Sequence, residues 1–193
     1  MPPRDDLPVM PFGSRAAWAA WLDDAHEAAA GVWLKIAKKG SGHDSVSYAE
    51  AVEVALCYGW IDGQKAAFDD AHWLQRFTPR RPRSRWSQVN RAKAIELIAG
   101  GAMKPAGLRE VERAKADGRW DAAYGGRRTM AVPDDLQRAL DEDDAARESF
   151  ATLDATNRYA ILYRIHDAKR PETRARRIAR FVEMLSAGEK PYP

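Results

Sequence analysis

Apolar residues along the first thirty positions recur at helical spacing. Trp18, Trp21, Leu22, Ala25 and Ala29 fall on one face behind Ser14, a good N-cap, and Gly31 breaks the run. From Val32 the period changes to two. In VWLKIAKK (32–39) Val32, Leu34 and Ile36 alternate with Trp33, Lys35 and Ala37, which predicts a strand. KGSGHD (39–44) is a loop. Ser47 and Glu50 have the S-x-x-E spacing of a capping box and open a helix carrying Ala51, Val54, Ala55 and Tyr58, with Gly59 suited to its C′ position.

WIDGQKAAF (60–68) and HWLQRFT (72–78) are expected as two strands of a hairpin around Asp69-Asp70. Pro79 and Pro82 prevent a regular strand from continuing. Ser84 or Ser87 is expected to cap a helix that runs to about Ile98 and stops at Gly100-Gly101. Pro105 fits N1 of a further helix, 105–117, with Leu108, Val111 and Ala114 inward and Gly118 as its stop. YGGRRTM (124–130) has the composition of a linker. Beyond it every pattern is helical: Leu136 and Leu140 after Pro133; then Ala146, Phe150 and Leu153; then Tyr159, Leu162 and Ile165; then Ile178, Phe181, Val182 and Leu185 after Pro171. The expected architecture is α+β, with a mixed domain over 1–125 and a small all-α domain over 130–193.

A chain of 193 residues has room for one core or for a core with a helical appendage. Its seven Trp must largely build that core. The single cysteine, Cys57, rules out an internal disulfide and fits a reducing compartment. MPPRDDLPVMPFGS lacks an apolar signal-peptide region, and no apolar stretch approaches membrane-spanning length, so a cytoplasmic location is expected.

Charge changes the picture more than composition does. RFTPRRPRSRWSQVNRAK (76–93) holds seven basic residues and no acidic one. The net charge of the whole chain is only +3, so the remainder stands at −4. Arg76 ends a strand, Arg80, Arg81, Arg83 and Arg85 lie in a proline-broken loop, and Trp86 follows at a helix start. Guanidinium forks suit phosphate or carboxylate, and free amides at a helix N-terminus add to an anion site. Three readings stand side by side: a solvated or internally paired basic loop, a site for a small anionic ligand, and a nucleic-acid contact. One short loop rather than a long stripe, and the lack of an RRM, KH, zinc or helix-turn-helix signature, weigh against nucleic acid.

Other candidates are weaker. Asp62, between two glycines in GWIDG (59–63), is a general base, the partner of Arg76 on the next strand, or an acceptor for backbone in the turn after Gly59. DDAH (69–72) has metal-capable groups but the composition of an ordinary turn, and no metal site is expected. KKGSGHDS (38–45) lacks P-loop spacing and is read as a strand-to-helix connection. Cys57 is expected as a small core residue rather than a nucleophile. The Arg174, Arg176, Arg177 and Arg180 cluster backs an amphipathic helix, and the acidic 141–148 segment is its candidate partner.

The strings GWIDGQK, LQRFTPRRPRSRWSQVNRAKA and PAGLREVERAKADGRWDAAY, followed by VPDDLQRAL and AKRPETRARRIARFVEML, resemble the bacterial YdeI/OmpD-associated, or bacteriocin-protection, proteins. The likeness runs from about residue 14 to 188, and the last two strings are similar to that family's helical OmdA-type domain. It implies a role in resistance to bacteriocins, antimicrobial peptides or envelope stress, and supplies no reaction, cofactor or catalytic residue. The expected function is a non-enzymatic cytoplasmic protection protein. Its anion-binding cleft would comprise Asp62, Arg76, Arg80, Arg81, Trp86, Ser87 and Asn90: the arginines hold the anion, Trp86 stacks, Ser87 and Asn90 donate hydrogen bonds, and Asp62 orients Arg76. A nucleic-acid-binding loop and an enzyme with Asp62 as base are the alternatives.

Overall fold

The computed structural model of the chain describes residues 7–126 and 130–193. Residues 127–129 of the expected linker, and residues 1–6 of the stretch read for a leader, lie outside the described residues. The fold is α+β, with strands only in the first part and helices alone in the last. Two compact units can be distinguished: Met1–Trp86 with Asn90–Ala123, and Ser87–Val89 with Tyr124–Pro193.

The first unit holds β1 (Val9–Pro11), α1 (Arg15–Ala25), β2 (Val32–Ala37), α2 (Tyr48–Cys57), β3 (Trp60–Ala67), β4 (His72–Pro79), most of α3 (Gln88–Ala99) and α4 (Pro105–Ala116). The sheet order is β1-β2-β4-β3, with β1 parallel to β2 and the other neighbours antiparallel. The register pairs Val32 with Phe77 and Leu34 with Gln75, so the period-two residues of β2 share a face with Phe77. That face packs on Trp18, Leu22, Trp60 and the apolar side of α2. The buried indoles also need partners for their N–H groups. Trp18 Nε1 donates to the Ala51 carbonyl at 3.1 Å, and Trp60 Nε1 to the His26 carbonyl at 3.1 Å.

Local signals set the helix ends. The Ser47 hydroxyl accepts from Glu50 N while the Glu50 carboxylate accepts from Ser47 N, a complete capping box. Gly59 follows α2 at φ +72°, where a side chain would be strained.

Three expectations are corrected. β2 ends at Ala37, because Ser41 N turns back to the Lys38 carbonyl and Gly40 takes φ +82°, although Lys38 N still donates to the Ala71 carbonyl at the hairpin end. Leu108 is exposed, and Gly107 takes the inward position on α4, because α4 packs too closely on the end of α2 for a side chain there. Ser84 does not cap α3: its hydroxyl accepts from Arg81 N at 2.9 Å and its N–H returns to the Arg81 carbonyl, closing a turn of its own.

In the second unit, α5 (Asp134–Asp141), α6 (Asp144–Thr152), α7 (Ala155–His166) and α8 (Pro171–Ser186) bury Leu136, Leu140, Phe150, Ile161, Ile165, Ile178, Phe181 and Leu185 together. Ser87 forms a parallel bridge with Tyr124, and Gln88 N donates to the Tyr124 carbonyl. Asp143 and Asp154 cap α6 and α7. Arg174 grips Asp135 with two bonds, Nε–Oδ2 at 2.5 Å and Nη2–Oδ1 at 2.8 Å, and gives its third donor to the Ile165 carbonyl. Arg177 faces Asp167 at 3.6 Å. The partners of these two arginines are therefore Asp135 and Asp167, not the 141–148 segment. That segment has bonds of its own: Arg147 pairs with Asp144 and Gln137 with Asp141. No helix among the described residues is long and apolar enough to cross a membrane.

Candidate functional site

The basic loop begins where β4 stops. Pro79 is the last ladder residue, and Arg80 N donates to the Gly59 carbonyl, turning the chain inward. Arg80 is only 5% exposed. Its guanidinium lies over the Trp86 ring, 3.7 Å from the centroid, and its Nη1 donates to the Arg85 carbonyl at 3.1 Å. Trp86 is 1% exposed and meets Trp120 edge-on at 4.9 Å. Two further arginines tie backbone to this aromatic pair. Arg91 donates to the Trp120 carbonyl at 3.1 Å, and Arg119, itself held by Asp117, donates to the Ser84 carbonyl at 2.6 Å.

Part of the basic run is thus interior structure. A stacked guanidinium keeps its charge while shedding less hydration than an ammonium would, so arginine is the cation suited to such a place. Outside this knot, the Arg81–Ser84 turn holds Arg81 and Arg83 exposed on either side of Pro82. Among the described residues, neither has a carboxylate partner.

The remaining candidates fall elsewhere. Asp62 pairs with Phe77 in the register and accepts a 2.7 Å bond from the Tyr48 hydroxyl. Arg76, one residue before Phe77, stands on the other face of the sheet opposite Trp33, with its stem beside Gly63. Asp62 is therefore positioned to bond Tyr48, while Arg76 lies across the strand from it. Asn90 sits half-buried in the first turn of α3, and Ser87 groups with the helical unit. The structure brings together Arg80, Arg81, Arg83, Ser84 and Trp86. It adds Arg119 and Trp120, which the site reading missed although GRWDAAY carried them in plain view.

Two weaker motifs resolve into local chemistry. Asp69 accepts from Ala71 N, His72 N and the His72 ring. Some desolvation pulls its carboxyl upward, but those bonds outweigh it and hold the group down at about 2. DDAH is thus a hydrogen-bonded hairpin tip, and no group of three metal-capable side chains gathers among the described residues. Burial pushes the Cys57 thiol up, away from the thiolate that a nucleophile needs.

The helical unit has a concavity of its own, about 1070 Å³ in volume, along α8 and α5. Ala139, Ile178 and Val182 form its floor, and Glu142, Asp143 and Glu183 stand on its rim.

Comparison with known proteins divides the chain in two. Residues 10–110 match the family model described as a domain of unknown function (DUF8412). Residues 129–188 match the OmdA model, described as "Bacteriocin-protection, YdeI or OmpD-Associated". No curated protein and no solved structure matches the chain.

Proposed function

The chain belongs to the family defined by that domain of unknown function and carries an OmdA domain behind it, and from this premise we propose a binding protein of protection type, without enzymatic activity, that acts in the cytoplasm and takes a small anion on the loop after β4. The observation that carries the reading is the Arg81–Ser84 turn, which presents two exposed guanidinium groups from a rigid base. Arg80 and Trp86 build that base and Arg81 and Arg83 supply the paired donors, while Arg76 and Asn90, on the preceding strand and following helix, are left out of it. Ser87, grouped with the helical unit, is left out of the site, and Asp62 is taken up by Tyr48.

A thermal-shift screen with phosphate, nucleotides and acidic metabolites tests the proposal. A ligand at 100 times its Kd adds about 2.7 kcal/mol to the unit that binds it. The absence of any rise with every anion overturns the reading. Retention of an RNA or DNA oligonucleotide with steep salt dependence transfers the loop to the nucleic-acid alternative. A turnover lost in Asp62→Asn without a fall in Tm transfers the function to the enzyme alternative.

A second reading rests on the α5/α8 groove. The matched model bears the words "Bacteriocin-protection", and the groove has an apolar floor below carboxylates. That pairing suits a cationic amphipathic peptide segment, whose apolar face enters the groove while its lysines meet the rim. Retention of a cationic amphipathic peptide by the wild type, and its loss in Glu142→Lys with Glu183→Lys, supports this reading; equal binding by both proteins eliminates it.

A further inference from the structure

The register of the hairpin contains one extra residue. Asp62 faces Phe77 and Lys65 faces Gln75, so three steps along β3 match two along β4. Gln75, only 4% exposed, donates its side-chain amide to the Gly63 carbonyl at 2.8 Å and to the Gln64 carbonyl at 3.2 Å, and so locks the bulge. The effect is a change of face. Without the extra residue Gln64 would share the face of Trp73 and Lys65 would point to the other. With it, Lys65 lies above the Trp73 ring, 4.1 Å from the centroid.

The turn after β2 completes a pocket there. Lys38 and Lys39, with Lys65, Ala66, Ala67 and Trp73, line a cavity of about 630 Å³. Lys38 is fixed by its backbone bond to the Ala71 carbonyl and by a side-chain bond to the Asp69 carbonyl. Trp73 is half-buried against the core and flanked by Tyr48 at 5.9 Å. Of the two carboxylates at this end of the hairpin, Asp69 holds His72 and lies 3.6 Å from Lys35, and Asp70 is exposed.

We infer that this pocket is a second small-ligand site, separate from the arginine loop, and that it takes a nucleoside monophosphate. The indole offers a flat apolar floor on which a base stacks, displacing the Lys65 ammonium. Lys65 then joins Lys38 and Lys39 around the phosphate, each acting as a point charge. The volume lies in the range of small-molecule sites. A bare anion leaves the indole without a stacked base, and a neutral nucleoside leaves the three lysine charges without an anion, so the site discriminates in favour of the molecule that has both parts.

The experiment is a calorimetric titration of the full chain with AMP, adenosine and inorganic phosphate. AMP is expected to bind at least tenfold more tightly than either half. Lys38→Ala with Lys39→Ala is expected to weaken AMP by tenfold or more, and Trp73→Leu to erase the preference for AMP over phosphate. The lysine pair is on the surface, so that variant stays informative even where Trp73→Leu fails to fold. In the Arg81→Ala, Arg83→Ala background, Lys38→Ala with Lys39→Ala is still expected to weaken AMP by tenfold or more, which separates this site from the loop. No AMP binding at millimolar concentration, phosphate binding as tightly as AMP, or AMP binding untouched by the lysine pair each overturns the inference.

Discussion

The Arg80 guanidinium lies over the Trp86 indole, 3.7 Å from its centroid, and both side chains are buried. The stack joins the end of β4 to the segment that leads into α3, and the Arg80 bond to the Arg85 carbonyl closes the same loop. A desolvated cation–π contact contributes on the order of 2 kcal/mol, and a hydrogen bond from a charged group about as much. Arg80→Ala is expected to lower the Tm by several degrees, measured by circular dichroism. Arg80→Lys is expected to recover little of this, since an ammonium lacks the planar face and sheds its hydration less readily.

Gly107 and Cys57 place α4 directly against the end of α2. A Cβ built on Gly107 runs into the Cys57 carbonyl and the Met103 sulfur, and lies 2.7 Å from the Leu56 carbonyl. Two of those neighbours are backbone and belong to the last turn of a helix, so they cannot move aside alone. Gly107→Ala is expected to destabilise the first unit by about 2 kcal/mol or more, the scale of overpacking in a tight core. A denaturant midpoint unchanged by Gly107→Ala contradicts the packing described.

In the helical unit, hydrogen bonds from Arg174, aided by its charge, hold the Asp135 carboxyl below its ordinary value, against some desolvation. A carboxylate with a depressed folded pKa stabilises the fold at pH values above its unfolded pKa, and that contribution disappears as pH falls through the folded value. Both side chains are partly solvated, so screening limits the effect to about 1 kcal/mol. Asp135→Asn is therefore expected to be less stable than the wild type at pH 7 and equal to it near pH 2. A difference that persists undiminished in acid contradicts the ion pair as its cause.

Where a signal was local, the sequence carried it. Ser47 and Glu50 announced their capping box, and the strand-like runs 60–68 and 72–78 around Asp69-Asp70 announced the hairpin, because each involves residues a few positions apart. β1 was not legible: three residues bounded by prolines become a strand only because β2 lies alongside them in parallel. The arginine run shows the same limit. Arg80 and Arg81 are neighbours of identical chemistry, yet one is buried under an indole and the other faces solvent. What separates them is Trp120, some forty residues on, which packs against Trp86 and fixes which way the loop turns. Lys65 is a further case, since a bulge locked by a buried glutamine decides the face it occupies.

The central claim is a division of labour within one basic run, in which Arg80 holds the fold and Arg81 with Arg83 meets the anion. The direct measurement is a thermal melt of the wild type, Arg80→Ala, and the Arg81→Ala, Arg83→Ala double variant, each with and without the best anion of the screen. The account predicts that the double variant melts with the wild type in plain buffer and loses the ligand-induced rise, while Arg80→Ala melts lower from the start. A double variant that keeps the full rise, or an Arg80→Ala protein as stable as the wild type, contradicts it.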